Sequence, residues 1–485
     1  MKPSETCLYD YLTAYAAGAP EKRLIGSPDL WLSTEETLRA AESLACQFRR
    51  IGIHPGMHAA LRTKRSLTCA VILLGLRFSG AAVILCDPHM DIDVCLSRAE
   101  DSIPLSFRLE ERYGGAVTVT TEATGESVTL DVFPGTHEKL ACPMRDARAA
   151  SFILFTSGST GKSKAVVLSE YNLVNNLLDS RSLGYYSEED IALGALPIDH
   201  VFGLVLLVGT IVLRYALYLP SGTDIPTLLS SIEEERITRM NGVPALYLSL
   251  AEHRQGYDLS SLRAGFIGGG PVTPKQFCFI EQTLGMTLIS AYGMTECVGI
   301  SCTSYRAPQR VRAGTVGPFY PMNTGRILLD DGSEAAVGQE GEICMTGPAR
   351  MLGYYGHPMT ESELLHTGDL GYVDETGALH ISGRKKDIII RNGNNLSSRR
   401  IEEALLALPG VTEAAVAGVP DDKQGEVPFA MIVGGADNIL PALRPLLQKN
   451  ELPAGILRVD ALPQTASGKP DKRRIREVLA AWANG

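Results

Sequence analysis

A run of glycines, small hydroxyl residues and lysines follows a short apolar segment, and these residue types can bind a chain of phosphates. The segment reads Phe-Ile-Leu-Phe-Thr-Ser-Gly-Ser-Thr-Gly-Lys-Ser-Lys over residues 152–164. Glycines let the backbone approach a ligand closely, and the N–H groups and hydroxyls of a tight turn form a concave anion site. The sequence therefore predicts a polyphosphate loop. Its candidate contacts are Thr156, Ser157, Gly158, Ser159, Thr160, Gly161 and Lys164.

Two other interpretations of this loop fit less well. Residues 161–163, Gly-Lys-Ser, match the end of a Walker-type phosphate loop, but that motif requires a glycine at position 156, where the chain has threonine. A plain surface loop rich in glycine and serine is common. It does not account for the lysines or for the apolar strand that leads into the loop.

Three later segments carry groups that suit a nucleotide. Gly268, Gly269 and Gly270 follow a predicted strand, and bare backbone there lets a flat ligand lie close. Residues 292–296, Tyr-Gly-Met-Thr-Glu, supply an aromatic face for base stacking, a hydroxyl for a phosphate and a carboxylate for Mg²⁺. Asp369 lies in a glycine turn and could take two ribose hydroxyls, although an ordinary turn aspartate fits that position as well.

Two further residues have both a structural and a functional interpretation. His200 precedes the apolar run 201–213, so it is either a hydrogen-bonded structural histidine or part of a substrate wall. Lys469 lies in a Gly-Lys segment beside a basic run. That run is either simply solvated or part of a mobile loop that delivers a cation to a phosphate.

The local patterns place these residues among alternating strands and helices. The predicted strands cover residues 58–62, 81–86, 152–155 and several short segments within 101–145. A capping box at residues 33–36 begins a helix that ends at Gly52, and the apolar run 201–213 predicts a buried helix. This alternation predicts parallel α/β layers.

A domain boundary is predicted at residues 383–387, Gly-Arg-Lys-Lys-Asp. The residues after it read as a small α+β module. Its predicted elements are a strand at 388–390, a helix at 401–408, strands near 414–419 and 429–433, and a helix near 438–449.

Length, charge and cysteine usage restrict the class of protein. A chain of 485 residues exceeds the size of a single hydrophobic core, so more than one domain is expected. The net charge of −10 disfavours binding to nucleic acid or acidic membranes. The ten cysteines include no C-x-x-C pair, the N-terminus lacks a signal peptide, and the longest apolar run is too short to span a bilayer. These features predict a soluble, cytoplasmic protein.

Taken in order, these segments resemble the motifs of the adenylate-forming superfamily, which includes acyl-CoA synthetases, luciferases and the adenylation domains of peptide synthetases. The matching segments extend from residue 152 to residue 476. The resemblance implies an α/β fold with a large N-terminal domain of layered β-sheets and helices, residues 1–382, that binds AMP and the acyl group. A hinge at residues 383–386 and a small, mobile α+β lid over residues 387–485 complete the implied architecture.

The resemblance also implies a reaction in two steps. A carboxylate attacks the α-phosphate of Mg·ATP, which gives an acyl adenylate and pyrophosphate. The lid then rotates, a thiol takes the acyl group and AMP leaves. Positioning and charge neutralisation carry such a displacement. The implied cofactors and cosubstrates are ATP, Mg²⁺ and coenzyme A, or the phosphopantetheine arm of a carrier protein.

By the same resemblance, each candidate residue has a role in one of these steps. In the first step, residues 156–164 are expected to bind the β- and γ-phosphates, and the adenine is expected to lie against Gly268, Gly269, Gly270 and Tyr292, with Gly293 also in the nucleotide site. Thr295 is expected to contact the α-phosphate, Glu296 to bind Mg²⁺, and Asp369 to take the ribose hydroxyls with Arg384 nearby. Lys469 is expected to bridge the carboxylate and the α-phosphate. The second step is expected to use Lys386 as the hinge, Gly393 in the thiol tunnel and His200 as a screen between tunnel and acyl pocket. The acyl pocket is expected at His200, Val201, Val243, Ser290 and Ala291.

Several positions depart from the family pattern. In the loop, Ser163 and Ala165 stand where proline and glycine are usual, and Asp199 replaces an aromatic or aliphatic residue. In the implied lid, Ser398 stands where proline is usual, Arg400 where glutamate is usual and Lys472 where arginine is usual. A carboxylate at position 199, so near an acid substrate, would be repulsive unless it faces away or meets a cation. The ATP side of the site therefore matches the family more closely than the thiol side.

The predicted function is ATP-dependent activation of a carboxylic acid followed by thioester formation. Coenzyme A is the expected thiol, and an apolar aliphatic or aryl acid is the expected substrate, with transfer to a separate carrier protein in trans as the alternative. An amino-acid adenylating enzyme usually has an aspartate where this chain has Val201. A luciferase-like oxygenase fits the motifs too, whereas a degenerate nucleotide-binding regulator would lack Glu296 or Lys469, and both are present.

Overall fold

The protein is built on β-sheets with helices packed against them. The structure, a computed structural model, describes residues 2–112, 114–156, 163–183, 185–435, 438–464 and 470–483. Within those ranges the strands form sheets of eight, nine, four and five strands.

The eight-stranded sheet carries the triple glycine and the Tyr-Gly-Met-Thr-Glu segment at its strand ends. In spatial order its strands are β15 (Ser301–Cys302), β14 (Thr287–Tyr292), β13 (Ala264–Ile267), β12 (Arg239–Gly242), β10 (Ile191–Leu193), β11 (Ala216–Tyr218), β1 (Arg23–Gly26) and β2 (Trp31–Ser33). Neighbouring strands from β14 to β1 are parallel, and β15 and β2 pair antiparallel at the edges. The carboxyl ends of β12, β13 and β14 therefore meet at one edge, which is where open α/β sheets bind ligands.

The nine-stranded sheet carries the predicted polyphosphate loop. In spatial order its strands are β19 (His357–Pro358), β18 (Gly353–Tyr354), β9 (Lys164–Ser169), β8 (Ala150–Thr156), β4 (Ala82–Cys86), β3 (His58–Arg62), β5 (Phe107–Arg112), β6 (Ala116–Thr121) and β7 (Ser127–Asp131). Strands β8, β4, β3 and β5 are parallel, as the alternating pattern predicted. Strands β8 and β9 pair antiparallel with Thr156 opposite Lys164, and residues 157–162 between them lie outside the described residues.

The last part of the chain forms the two smaller sheets. The four-stranded sheet has the antiparallel order β16 (Thr324–Leu328), β17 (Gly341–Thr346), β20 (Leu365–Val373) and β21 (Leu379–Arg384). The five-stranded sheet has the order β23 (Asn394–Ser397), β22 (Ile388–Arg391), β25 (Gly425–Gly434) and β24 (Val411–Asp421), with β26 (Gly455–Val459) parallel to β25. A 3₁₀ helix, Lys385–Asp387, connects the two sheets at the predicted hinge.

The helices connect the strands and cover the sheets. They are α1 (Leu8–Gly18), α2 (Thr34–Arg50), α3 (Leu67–Ser79), α4 (Ile92–Ser97), α5 (Glu170–Ser182), α6 (Val201–Leu213), α7 (Ile225–Glu234), α8 (Pro244–His253), α9 (Pro274–Leu284), α10 (Gln309–Gly314), α11 (Ser398–Leu406), α12 (Ile439–Leu443) and α13 (Lys472–Ala483). The predicted capping box begins α2, where Ser33 Oγ accepts from Glu36 N–H at 3.2 Å and the Glu36 carboxylate accepts from Ser33 N–H at 2.8 Å. Helix α6 has the bounds of the predicted apolar helix.

The main hydrophobic core joins the two large sheets. Its buried members include Ile25 of the eight-stranded sheet and Val83 of the nine-stranded sheet, together with Leu44, Leu73 and Leu207 from α2, α3 and α6. The five-stranded sheet has its own cores on its two faces. One contains side chains of α11 and α12, and the other contains side chains of α13.

The structure confirms the predicted α/β class and corrects two predicted helices. The helix expected near 438–449 is much shorter, Ile439–Leu443. Pro445 has no N–H to continue it and restricts the residue before it. The helix expected at 401–408 begins earlier, at Ser398, because the Ser397 hydroxyl accepts the Arg400 N–H.

Two bulk expectations concern membrane-spanning helices and the cysteines. In the described parts of the chain, no helix is long and apolar enough to cross a membrane. The cysteines are free, and all except Cys142 and Cys278 are buried, as expected for packing residues.

Candidate active site

The triple glycine forms a shelf of bare backbone at the carboxyl ends of the parallel strands. The Gly268 N–H donates to the Gly242 carbonyl at 3.2 Å, and a Cβ on Gly268 would lie 2.7 Å from the Ala291 carbonyl oxygen. Gly269 has a φ of 76°, a conformation that favours glycine. We call Gly268, Gly269 and Gly270 the glycine shelf. A side chain at its first position would collide with the neighbouring strand.

Ser290 and Ala291 point to opposite faces of β14, because side chains alternate along a strand. Ala291 packs beside an aromatic cluster, which we define as Tyr185, Tyr186, Phe202, Phe266 and Tyr320. Ser290 is buried on the other face, where its hydroxyl donates to the Arg312 carbonyl at 2.6 Å. Val243 is half-buried between β12 and α8. The structure thus places Ala291, but not Ser290, against the aromatic cluster.

His200 is fixed by the start of α6. Its carbonyl accepts the Gly203 N–H at 3.0 Å. The helix start presses against the preceding loop, since a Cβ on Gly203 would lie 1.9 Å from the Pro197 carbonyl oxygen. His200 and Val201 are half-buried. Val201 packs against the main hydrophobic core, and the next residue, Phe202, packs against the aromatic cluster.

Arg65 ties together two loops near the beginning of α6. Its guanidinium donates to the carbonyl oxygens of Ala195 at 2.6 Å, Pro220 at 3.4 Å and Gly222 at 3.3 Å. Burial lowers the pKa of Arg65 to about 10. The side chain therefore acts as a hydrogen-bond donor to backbone carbonyls and positions the loop that carries Pro197.

Tyr292, Asp369 and Arg384 form a connected group. The Tyr292 hydroxyl donates to Asp369 Oδ2 at 2.7 Å, and Arg384 Nε lies 2.8 Å from Oδ1 of the same carboxylate. Asp369 is 4% exposed and faces Arg384 across β20 and β21. Burial, and next the charge of Asp369, raises the pKa of Tyr292 well above its usual range, so its hydroxyl remains a donor. The arrangement fixes the Asp369 carboxylate.

Glu296 is a buried carboxylate close to the polyphosphate strand. The Tyr354 hydroxyl donates to Glu296 Oε1 at 3.0 Å, and Lys164 Nζ lies 4.7 Å from the centre of the Tyr354 ring. Burial raises the pKa of Glu296, while the Tyr354 donor and the charges of Lys164 and Arg384 act in the opposite direction. Thr295 begins the same 3₁₀ turn and is half-buried. The structure thus brings Lys164, Thr295 and Glu296 into one region.

The turn that carries Thr295 and Glu296 is strained. Val298 has φ 53° and ψ −76°, a conformation that is rare for a β-branched residue. Gly293 makes room for it, because a Cβ at that position would lie 2.3 Å from the Val298 carbonyl oxygen. Strain of this kind clusters at functional sites, where it holds side chains in place.

The predicted lid residues lie around the connection between the two smaller sheets. Lys386 is part of the 3₁₀ helix Lys385–Asp387, and Gly393 lies at the exposed tip of the β22–β23 hairpin with a φ of 77°. The Ser397 hydroxyl donates to the Ser382 carbonyl at 2.8 Å across this connection. Lys469, like Ser157, Gly158, Ser159, Thr160 and Gly161, lies outside the described residues.

Three departures from the family pattern have local environments that account for their charge. After the predicted hinge, Arg400 Nε lies 2.7 Å from Glu451 Oε1, and Lys472 donates to Glu402. Both cations are therefore paired with carboxylates of the C-terminal domain. Burial raises the pKa of Asp199, and the adjacent histidine acts in the opposite direction.

Comparison with known proteins defines the class to which this fold and site belong. The model of the AMP-binding enzyme family matches residues 12–355, and the model of the AMP-binding enzyme C-terminal domain matches residues 400–469. The chain is 34% identical over 338 residues to a feruloyl-CoA synthase from an Amycolatopsis species. That alignment covers 67% of this chain and 69% of the relative.

Two solved structures share the whole architecture. MatB from Rhodopseudomonas palustris with bound ATP has a TM-score of 0.86, 26% identity and 98% coverage of both chains. The o-succinylbenzoate CoA synthetase MenE from Bacillus subtilis, in complex with its acyl-adenylate intermediate, has a TM-score of 0.83, 25% identity and the same 98% coverage of both chains. Fold and site define an adenylate-forming enzyme. The chain belongs to the AMP-binding enzyme family. It is an AMP-forming acid–thiol ligase that activates a carboxylic acid with ATP, which confirms the predicted reaction class.

Tyr354 and Arg65 contact the candidate site or the loop beside it, but no sequence motif selected them. Tyr354 lies in a Gly-Tyr-Tyr segment, 58 positions from the carboxylate to which it donates. Arg65 binds backbone carbonyls, which every residue carries. A tyrosine after a glycine in a short strand is the one available signal, and it is weak.

Proposed function

We propose that this ligase joins coenzyme A to an aryl acid or an apolar aliphatic acid. The observation that carries the proposal is the aromatic cluster, which packs beside Ala291 near the glycine shelf. Aromatic walls favour an apolar, flat guest. Two of the related proteins are named for aryl acids, a feruloyl and an o-succinylbenzoate substrate, and for coenzyme A.

In the proposed first step, ATP lies at the carboxyl ends of the parallel strands. The glycine shelf and the Tyr292 ring, next to Gly293, hold the adenine, and Asp369 accepts the ribose hydroxyls. Each oxygen of Asp369 already has one donor, from Tyr292 or Arg384, and a carboxylate can accept about four hydrogen bonds in all. The carboxylate is therefore held in place and still has capacity for the ribose.

The phosphates are proposed to lie between the loop and Glu296. Residues 156–164 bind the β- and γ-phosphates, Thr295 contacts the α-phosphate and Lys469 bridges it to the acid. Glu296 fits a Mg²⁺ ligand, since it is a buried carboxylate linked through Tyr354 to Lys164, and Mg²⁺ prefers carboxylate oxygen together with substrate phosphates. When bound, Mg²⁺ would neutralise part of the phosphate charge.

The second step is proposed to need a different lid position. The division into residues 1–382, a hinge at 383–386 around Lys386 and a lid at 387–485 follows the change from the four-stranded to the five-stranded sheet. Rotation there would withdraw Lys469 and bring Gly393 to the thiol path. His200 and Val201, with Val243 and Ala291, are proposed to bound the acyl pocket, whereas Ser290, which was also expected there, lies on the other face of β14 and donates to the Arg312 carbonyl.

Pyrophosphate release with Mg·ATP tests the proposal across a panel of acids, with and without coenzyme A. The panel contains cinnamates, benzoates, fatty acids of increasing length, acetate and amino acids. We expect fastest turnover with an aryl or apolar acid, dependence of multiple turnovers on coenzyme A, and an acyl-CoA product detected by mass. Fastest turnover with acetate or an amino acid would contradict the proposed pocket.

A separate carrier protein is the alternative acceptor. It would be favoured if an acid gave slow pyrophosphate release that coenzyme A did not change. Loading of the phosphopantetheine arm of a purified carrier protein, measured by mass, would then identify the acceptor. An acyl-CoA product in the first experiment excludes the need for that carrier.

A further inference from the structure

Three side chains that could each donate an atom to a metal ion lie close together on the four-stranded sheet. None of them belongs to the candidate active site described above. Glu342 and Cys344 are two positions apart on β17, and His366 lies opposite Cys344 on β20. His366 Nδ1 lies 3.4 Å from Cys344 Sγ and 3.4 Å from Glu342 Oε2. One donor atom from each residue lies within 4.8 Å of the other two. We call these three residues the Glu-Cys-His cluster.

The spacing of these atoms suits a small tetrahedral metal ion. Bonds of about 2.0–2.3 Å from Zn²⁺ to nitrogen, oxygen and sulfur place neighbouring ligand atoms about 3.3–3.8 Å apart. Both measured separations of 3.4 Å lie within that interval. His366 is therefore already placed to share an ion with Cys344 or with Glu342, and the third pair of atoms lies within 4.8 Å.

An irregularity in the sheet positions the carboxylate. Glu342 pairs with Leu370, and Cys344 pairs with His366. The segment of β20 between these two pairs is two residues longer than the segment of β17, so β20 bulges there. Gly368 in the bulge has a φ of 71°, and its N–H donates to Glu342 Oε1 at 3.1 Å. This bond fixes one oxygen and leaves Oε2 directed at the cluster. Hydrogen bonds of this kind orient metal ligands.

The cluster is open on one side and closed on the other. Cys344 is fully buried, whereas the His366 side chain is 58% exposed. A metal ion could enter from solvent past the histidine, and water could supply a fourth ligand. Lys385 Nζ lies 3.5 Å from Glu342 Oε2 and competes for it, but the same ammonium lies 3.2 Å from Asp330, which can retain it.

We propose that Glu342, Cys344 and His366 bind one thiophilic divalent transition-metal ion of the Zn²⁺ type. A set of one sulfur, one nitrogen and one oxygen donor favours such an ion over Mg²⁺ or Ca²⁺, which select oxygen ligands. The site is distinct from the proposed Mg²⁺ ligand Glu296, and it does not depend on the identity of the acid. It lies on the bulge that also carries Asp369.

Cobalt titration of the metal-depleted full-length protein tests the site, because Co²⁺ replaces Zn²⁺ and absorbs visibly when a thiolate binds it. We expect a thiolate-to-cobalt charge-transfer band that saturates near one equivalent and disappears when Zn²⁺ is added. His366→Ala should weaken binding by roughly tenfold or more, and Glu342→Gln should weaken it as well. Cys344→Ser should abolish the charge-transfer band.

Matched controls separate the site from adventitious binding. Cys142→Ser and His357→Ala remove an exposed cysteine and an exposed histidine elsewhere, and both should leave the titration unchanged. Lys385→Ala removes the competing ammonium and should strengthen binding. The proposal is overturned if no thiolate band forms, or if the band survives Cys344→Ser or is lost in Cys142→Ser. It is also overturned if His366→Ala, which alters an exposed side chain and preserves the fold, binds as tightly as the parent.

Discussion

Tyr354 illustrates how a neutral side chain controls a charged one. Its hydroxyl donates to Glu296, and its ring lies under the Lys164 ammonium, so one residue links the phosphate strand to the proposed metal ligand. Burial raises the pKa of Glu296, and the Tyr354 hydrogen bond lowers it. The Tyr354 hydrogen bond is therefore one of the interactions that favour the ionised form of Glu296.

Replacing Tyr354 by phenylalanine should weaken use of ATP and change its pH dependence. The ring contact with Lys164 is retained, and only the hydrogen bond is lost. A bond to a charged group contributes about 1.5–3 kcal/mol, so we expect kcat/KM for ATP to fall about tenfold or more. Because the donor stabilises the carboxylate, its removal raises the pKa of Glu296 and moves the acidic limb of the pH profile to higher pH.

Tyr355→Phe is the matched control for this measurement. It makes the same chemical change in the next residue, whose ring packs on His58 instead. Pyrophosphate release measured from acidic to neutral pH compares the variants. An acidic limb that stays in place in Tyr354→Phe, or that moves equally in Tyr355→Phe, would contradict this role.

At the scale of elements, the beginning of α6 is held by a close approach of two backbones. A Cβ on Gly203 would meet the Pro197 carbonyl at 1.9 Å, so glycine is required for the helix to start at Val201. Arg65 holds the same loop from the other side through the Ala195 carbonyl. The position of His200 follows from these two contacts.

Gly203→Ala should therefore destabilise the protein and impair acid binding. Forcing an added methyl group into a packed site costs about 1–3 kcal/mol, and the helix start must shift to accommodate it. We expect a lower urea midpoint together with a higher KM for the acid. Gly18→Ala is the control, because Gly18 ends α1 in open space where an added Cβ meets no atom within 4 Å. Equal stability of the two variants would contradict the packing argument.

The elements that the sequence predicted well are those with local causes. Helix α6 is bounded by a polar residue at each end of an apolar run, and α2 begins with two residues that cap each other. The helix near 438–449 was predicted too long because its apolar pattern continues past Pro445, which ends the helix. The ATP-side residues were selected by local motifs, whereas the Tyr354–Glu296 contact joins distant segments and has no local pattern.

At the scale of the whole molecule, the two proposed reaction steps depend on different residues of the proposed lid. Lys469→Ala should slow adenylate formation by roughly a hundredfold or more, as loss of a group that stabilises developing charge does. It should leave thioester formation from added acyl adenylate largely intact. Gly393→Leu should show the reverse pattern, because a side chain there would obstruct the thiol path.

Gly377→Leu is the matched control for the second variant. Gly377 and Gly393 are both hairpin glycines with positive φ, 82° and 77°, and a Cβ on either meets no atom within 4 Å. The two variants therefore share the same backbone strain of about 1–2 kcal/mol. Assays of the separate half-reactions compare them. Loss of both half-reactions in Gly393→Leu, or equal loss of thioester formation in Gly377→Leu, would contradict the division.

The proposed ATP contacts come from three different sheets. Glu296 follows a strand of the eight-stranded sheet, Lys164 and Tyr354 belong to the nine-stranded sheet, and Asp369 and Arg384 pair within the four-stranded sheet. A nascent chain in which one sheet has not yet joined the others lacks part of the nucleotide's contacts. A ligand that binds only the assembled form stabilises that form by about 2.7 kcal/mol when the free ligand concentration is about one hundred times its Kd. Bound ATP would thus favour the assembled protein over partly assembled forms that proteases can cleave.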